Sequence, residues 1–183
     1  IYNLNINEQY KLVLGAQGMF QSNNNNPGAL EDLIPNSNTL DNGIYALLNA
    51  NNKWLKWQMG FRADIRTLET QQSQTGEAPF NGQYNGYNYS LGAIKELGNY
   101  EFRTNISTGF RPPHSSELLA DGVHHGNLRY EIGNIELQSE QATQLDVSAA
   151  YKGEHFDFTV NPYINKISNY IQLSPTDKLQ NGL

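Results

Sequence analysis

Between Trp54 and Leu68 the chain keeps two kinds of residue strictly apart. Trp57, Met59, Phe61, Ala63 and Ile65 take every second position, and Lys56, Gln58, Arg62, Asp64 and Arg66 fill the gaps between them. Successive side chains of a strand point to opposite faces, so this segment is a strand with one apolar and one charged face. The same period recurs along the chain. Leu12, Leu14, Ala16 and Phe20 face away from Lys11, Gly15 and Gln17. Ile44 to Ala50 is a short apolar strand. Tyr87, Tyr89, Leu91 and Ala93 oppose Asn88, Ser90 and Gly92. Tyr100, Phe102, Thr104, Ile106, Thr108 and Phe110 oppose Glu101, Arg103, Asn105, Ser107 and Arg111. Thr143, Leu145, Val147, Ala149 and Tyr151 oppose Gln144, Asp146 and Ser148. Phe156, Phe158 and Val160 start a last strand, in which Pro162 predicts a bulge.

Two regularities turn these strands into an architecture. The strands run for about 10 to 15 residues, well above the ~5 to 6 of globular sheets. The connections also alternate in length. Short turns fall near Asn7, Asn52, Gly98 and Gly153, and long polar loops at 21–40, 69–83 and 111–138. Short turns on one rim and long loops on the other are the plan of an outer-membrane β-barrel. The apolar face would then meet lipid and the charged face a wet lumen, where Arg62 and Asp64 are tolerable. Trp54, Trp57, Tyr87, Tyr89 and Tyr100 lie near strand ends, as interfacial girdles do. The alternative is a soluble β-sandwich that binds a carbohydrate or other ligand, since a solvated antiparallel sheet alternates in the same way. The fold expected is all-β, an antiparallel meander of about eight long strands.

Composition narrows the partners. A net charge of -6 over 183 residues argues against nucleic acid. The absence of cysteine removes disulfides and thiolate metal sites. No apolar run reaches the ~18 to 20 residues of a membrane helix. A mean hydropathy of -0.62 is compatible with a membrane barrel, whose apolar residues occupy alternate positions. Ile1 opens inside a strand-like stretch and Asn181-Gly182-Leu183 closes on nothing, so the chain reads as a piece of a larger protein.

The alternation stops at Pro112-Pro113, which cannot continue a ladder. Ser115 or Ser116 can cap one helical turn through Ala120, which Gly122 would stop. The run Ser107-Thr-Gly-Phe-Arg-Pro-Pro-His-Ser-Ser-Glu-Leu-Leu, then Tyr130-Glu-Ile-Gly-Asn, then Leu137-Gln-Ser-Glu140, resembles the barrel of TonB-dependent outer-membrane receptors. In that family a strand ends in a Phe-Arg-Ala/Pro-Pro box, and an Asn-Pro-x-Leu-x-Pro-Glu box precedes the next strand. Phe110 to Pro113 match the first box. Asn134 to Glu140 match the second, with Ile135 and Ser139 where prolines are usual. The resemblance implies a barrel of roughly 22 strands in the outer membrane of a Gram-negative bacterium, of which residues 1–183 form part. It implies active uptake of a scarce nutrient (an iron complex, haem or a metal ion) rather than catalysis. It also implies a plug domain elsewhere and a TonB-type energy-transducing partner.

Ligand candidates cluster in the interrupting loop. Receptors for haem carry a histidine between the two boxes, and His124 and His125 fall there, so the resemblance makes either a candidate axial ligand. His114, Glu117, Asp121, His124 and His125 together offer imidazole and carboxylate ligands for a divalent metal. A siderophore could instead meet loop aromatics and Arg111, with the histidines solvated. Arg111 has a structural alternative, pairing with Glu131 or a lumenal carboxylate, and Glu117 could simply cap the helical turn. His155, at a short turn, reads as solvated. The serines and histidines lack a nucleophile-elbow spacing, so no enzyme activity is expected.

Overall fold

The computed structural model describes residues 1–26, 28, 33–71, 78–124 and 129–176. The elements are β1 (Tyr2–Asn5), β2 (Tyr10–Asn23), β3 (Ser37–Asn51), β4 (Lys56–Thr70), β5 (Asn81–Leu97) and β6 (Tyr100–Arg111). There follow α1 (Ser115–Leu119), β7 (Asp121–His124), β8 (Arg129–Ile132), β9 (Glu140–Lys152), β10 (Asp157–Val160) and β11 (Tyr163–Ser168). The order in the main sheet is β1-β2-β3-β4-β5-β6-β9-β10, with β11 also on β9, and every pairing is antiparallel. β7 and β8 form a separate hairpin inside the long β6–β9 connection.

The expected bulge at Pro162 is not there. Val160 pairs with Ala149 and Tyr163 with Asp146, so both strands advance three residues across the gap and the register holds. The proline removes one donor, while the Val147 N–H still reaches the Pro162 carbonyl at 3.0 Å. β10 and β11 are thus one strand, and the nine strands assigned to the sheet reduce to eight continuous ones.

The register converts the sequence alternation into a belt. Leu4, Leu12, Leu48, Met59, Leu91, Ile106, Leu145 and Ile164 pair in succession, one from each strand. Facing pairs share a side of the sheet, so this apolar row crosses all eight strands without a polar residue. Met59 and Leu91 are about half exposed, at 49% and 50%. In water such a row would lose ~25 cal/mol for each Å² left uncovered, whereas lipid covers it. Aromatics flank it as girdles. Tyr10 meets Trp57 at 6.3 Å and Tyr100 meets Tyr151 at 5.1 Å on the short-turn side. Tyr87 and Tyr89 stand exposed toward the long loops.

The opposite, concave face is polar. Arg62 pairs with Asp64 and Arg66 with Asp41, each at 2.6 Å. Glycines leave room for large side chains to lie flat on this face. A Cβ at Gly15 would overlap the Tyr45 ring, and one at Gly86 would overlap the ring of Phe110. That second contact corrects the expected facing of Phe110. Its position in the alternation sets it with Phe102 and Ile106, yet it points into the concavity beside Arg62 and Asp64. The β5–β6 ladder ends at Ser90–Ser107. Beyond it the Thr108 hydroxyl takes the place of a backbone rung, accepting the Tyr89 N–H at 2.9 Å, and the facing of the strand changes there.

The strands run further than their hydrophobic pattern, and the long connections shrink to 24–36, 71–80 and 112–139. Above the apolar band both faces are wet, so Ser, Thr and Asn keep the ladder going without alternating. The short turns stand as expected. Asn7 Oδ1 accepts the N–H groups of Gln9 and Tyr10, both at 2.9 Å, and Gly98 turns with φ +59°. Among the described residues the buried apolar side chains are few: Ala50, Leu68, Leu118 and Ala120, joined by Pro35 and Pro113. A sandwich would bury one face of each sheet against the other. Here a single long sheet exposes its apolar face, and the sandwich alternative falls.

Candidate functional site

The long-loop rim holds most of what is buried. After Phe110 and Arg111, Pro112 and Pro113 end the strand, and Pro113 lines a narrow crevice together with Leu68 of β4. α1 follows, a single turn whose N-cap is His114, not Ser115 or Ser116. Glu117, at the third helical position, accepts the His114 N–H at 2.7 Å, so the expected capping role of Glu117 is real and its partner is the histidine backbone. The turn ends at Ala120, which is extended, before Gly122 is reached.

The second box docks onto this turn and satisfies its carbonyls. Asn134 N–H donates to Glu117 O at 2.9 Å and Gly133 N–H to Ala120 O at 2.6 Å. A Cβ on Gly133 would collide with the backbone of Leu118 and Leu119, so only glycine permits the approach. β7 is in turn tied to the first long loop, since the Asp121 N–H donates to Leu33 O at 3.1 Å.

Arg111 joins the two boxes. Its Nε and Nη2 bind the Glu140 carboxylate at 2.7 and 2.9 Å in a two-pronged pair, and its Nη1 binds Glu117 at 2.9 Å. Glu140 also accepts the Ile171 N–H at 2.7 Å. One guanidinium thereby fastens the end of β6, the start of β9, helix α1 and the segment after β11. Glu131, an expected partner of Arg111, pairs instead with Arg129 at 2.7 Å. The sequence offered Arg111 a carboxylate partner without identifying Glu140, which stands 29 positions away. The only trace of the pairing is that both belong to the boxes.

Arg111 and Glu140 each stand five positions beyond the apolar row, at Ile106 and Leu145 respectively. At ~3.4 Å per residue and a strand tilt of ~40°, that is about 13 Å, just outside half of a ~25 Å lipid-facing band. The Arg111 hydrogen bonds, aided by the Ile171 N–H, hold Glu140 down to about 2, against the opposing effect of its partial burial. Binding to Glu140 likewise raises Arg111 above its already high ordinary value. A depressed carboxyl contributes stability that is complete above its ordinary value of 4.5 and is lost as pH falls through about 2. A carbon-13 titration of the Glu140 carboxyl is expected to show that low midpoint. In Arg111→Ala the midpoint is expected to rise toward the ordinary value, and an unmoved midpoint would contradict the assignment.

The other candidates scatter. His114 Nδ1 lies 3.3 Å from Ser116 Oγ. Asp121 accepts the Tyr130 hydroxyl at 2.7 Å. His124 stands in β7 opposite Arg129. His125 lies outside the described residues. Among the described residues no three of His, Asp and Glu converge so as to hold a metal ion. His155 is exposed at its turn, as expected.

The description "TonB dependent receptor-like, beta-barrel" matches residues 2–183, nearly the whole chain. The chain belongs to this family. Two solved structures share the fold. One is described as "Copper transporter OprC", with a TM-score of 0.66 and 14% identity. The match covers 89% of this chain and 28% of that one. The other is a double mutant of the Serratia marcescens hemophore receptor HasR in complex with its hemophore HasA and heme. It has a TM-score of 0.66 and 16% identity, over 92% of this chain and 32% of that one. This TonB-dependent receptor-like chain therefore spans about a third of the length of the structures it matches, and at such identity the likeness concerns the fold.

Proposed function

We propose that the chain is part of an outer-membrane receptor that imports a scarce nutrient with energy delivered by a TonB-type partner. Residues 1–183 form a section of one transmembrane barrel of roughly 22 strands. Other parts of the gene product supply the plug and the remaining strands. The observation that carries this reading is the unbroken apolar row across eight strands, set below long loops on one rim. Within the receptor this section builds wall and ligand-gathering loops, and transport is a rearrangement of the plug rather than chemistry by these residues.

The cargo is an iron complex, haem or a divalent metal, gathered at the rim by His114, His124 and His125. Support for the histidines over Arg111 comes from the guanidinium itself, whose nitrogens are engaged by Glu117 and Glu140. The test uses the full gene product in cells and in detergent. Uptake should stop when the proton-motive force is collapsed, and uptake that persists would reject the receptor reading. Haemin and Zn²⁺ are then titrated against the His124→Ala and His125→Ala variants. Unchanged affinity for both would remove the histidines from the site.

A further inference from the structure

We propose that Lys95 and Trp54 bind the phosphate of an anionic phospholipid, phosphatidylglycerol, on the outer face of the wall at its short-turn rim. Lys95 is out of place on that face. It alternates with Ala93 and Leu97 and pairs across the ladder with Phe102, so it shares their side of the sheet. Among the described residues it is the one charged side chain that the strands put on the outer side between the apolar row and the short turns. A cation on a surface that meets lipid is costly unless its head reaches the polar boundary. The turn between β3 and β4 marks that boundary, and Lys95 reaches it. Its ammonium donates to the Trp54 carbonyl and lies 5.2 Å from the centre of the Trp54 ring. The indole is 68% exposed, as interfacial tryptophans are.

The protein leaves this cation incomplete. An ammonium carries three N–H donors, and the Trp54 carbonyl takes one of them. All five arginines of the chain are ion-paired, and Lys56 and Lys152 have Glu96 and Glu101. Among the described residues no carboxylate pairs with Lys95, nor with Lys53, the exposed residue next to Trp54 in the turn. Two cations beside one exposed indole complement a single negative charge, and a phosphodiester has oxygens for the donors left over. Leu97 and Phe102 decide between a lipid and a free phosphate. They are about half exposed on the same face, 53% and 45%, and offer acyl chains an apolar surface beside the ammonium. Short turns of such barrels face the periplasm, so the lipid belongs to the periplasmic leaflet.

The proposal rests on the receptor reading, since a membrane-spanning wall is what brings this face to lipid. The full gene product is placed in phosphatidylcholine nanodiscs with a photoreactive phosphatidylglycerol, and crosslinked peptides are mapped. Saturable labelling of the turn 52–55 is expected. Unlabelled phosphatidylglycerol should displace it, and phosphatidylethanolamine or free glycerol phosphate should not at the same concentration. Lys95→Gln should weaken phosphatidylglycerol at this turn about fivefold, and Trp54→Ala about two- to fivefold. Lys95→Arg should retain it. Lys11→Gln, which removes the same charge from the concave face, should leave it unchanged. Heat-modifiable gel mobility establishes that each variant is folded, and Lys53→Gln or Trp54→Phe replaces one that is not. No labelling of the turn, equal displacement by the zwitterionic lipid or by glycerol phosphate, or an equal loss in Lys11→Gln would overturn the site. Affinity unchanged in Lys95→Gln would mean that Trp54 alone satisfies the ammonium. Energised uptake without labelling of this turn overturns the site alone, and labelling without energised uptake overturns the receptor reading alone.

Discussion

Arg111→Ala should free the loop at the rim while leaving the barrel wall folded. The substitution leaves Glu117 and Glu140 facing each other with no cation between them. Hydrogen bonds to charged groups contribute about 1.5–3 kcal/mol each, and the value here belongs to the low end because the Arg111 side chain is 43% exposed. A loss of about 2–3 kcal/mol for the pair corresponds to roughly 30- to 150-fold more frequent opening of the segment. Hydrogen exchange at 114–124 should accelerate by that factor, while β4 and β5, whose ladders do not involve Arg111, should keep their protection. Arg111→Lys should recover little, since a point charge cannot hold two carboxylates in fixed planar geometry. Lys56→Ala, which removes the exposed pair with Glu96 on the short-turn side, should leave 114–124 unchanged. Equal protection in Arg111→Ala and wild type would mean that buried Pro113 and Leu118, with the backbone bonds from Gly133 and Asn134, hold the turn without the guanidinium.

Leu91→Arg should be the most damaging change on the wall. Leu91 lies mid-row between Met59 and Ile106, so its side chain points at the middle of the lipid. A charge there costs about 2–4 kcal/mol in a membrane barrel. Gln58→Arg, one position from Met59 but on the concave face, should cost under about 1 kcal/mol, since that face is wet. Folding of the full gene product into lipid vesicles at graded urea concentrations measures both. In a protein whose apolar face met water the order would reverse, because an arginine on an exposed face would relieve apolar surface. Equal effects at the two positions would contradict the assignment of faces.

Much of the wall was legible because lipid on one side and water on the other write a period of two into the chain. β4, β5, β6 and β9 follow that pattern through their apolar band. Legibility failed where the two environments become alike. Above the band both faces are wet, so Ser37 and Asn81, which begin β3 and β5, look like loop. Phe110 failed for a different reason, since the facing of β6 changes beyond Thr108, where its regular ladder with β5 has ended. At Pro162 the expectation of a bulge treated a lost donor as a slipped register. The box residues were recognisable, but their mechanical role was not. Arg111 and Glu140 meet only because β6 and β9 are sheet neighbours, a fact of topology that no local window contains. Of the ligand candidates, His114 turned out to cap a helix and Glu117 to brace it.

Pro162 has a further consequence, set by which way its backbone points. Its carbonyl accepts from Val147, so that residue turns its hydrogen-bonding side toward β9. In an antiparallel strand the neighbours turn theirs the other way. The missing N–H therefore weakens a seam already closed. Thr159, Asn161, Tyr163, Asn165 and Ile167 send an uninterrupted series of donors and acceptors outward, where no described strand meets them. A proline one position earlier or later would have blunted that border, as natural edge strands often are. Instead this border stays whole and able to take a further strand, and the same property would make two copies of the sheet adhere along it.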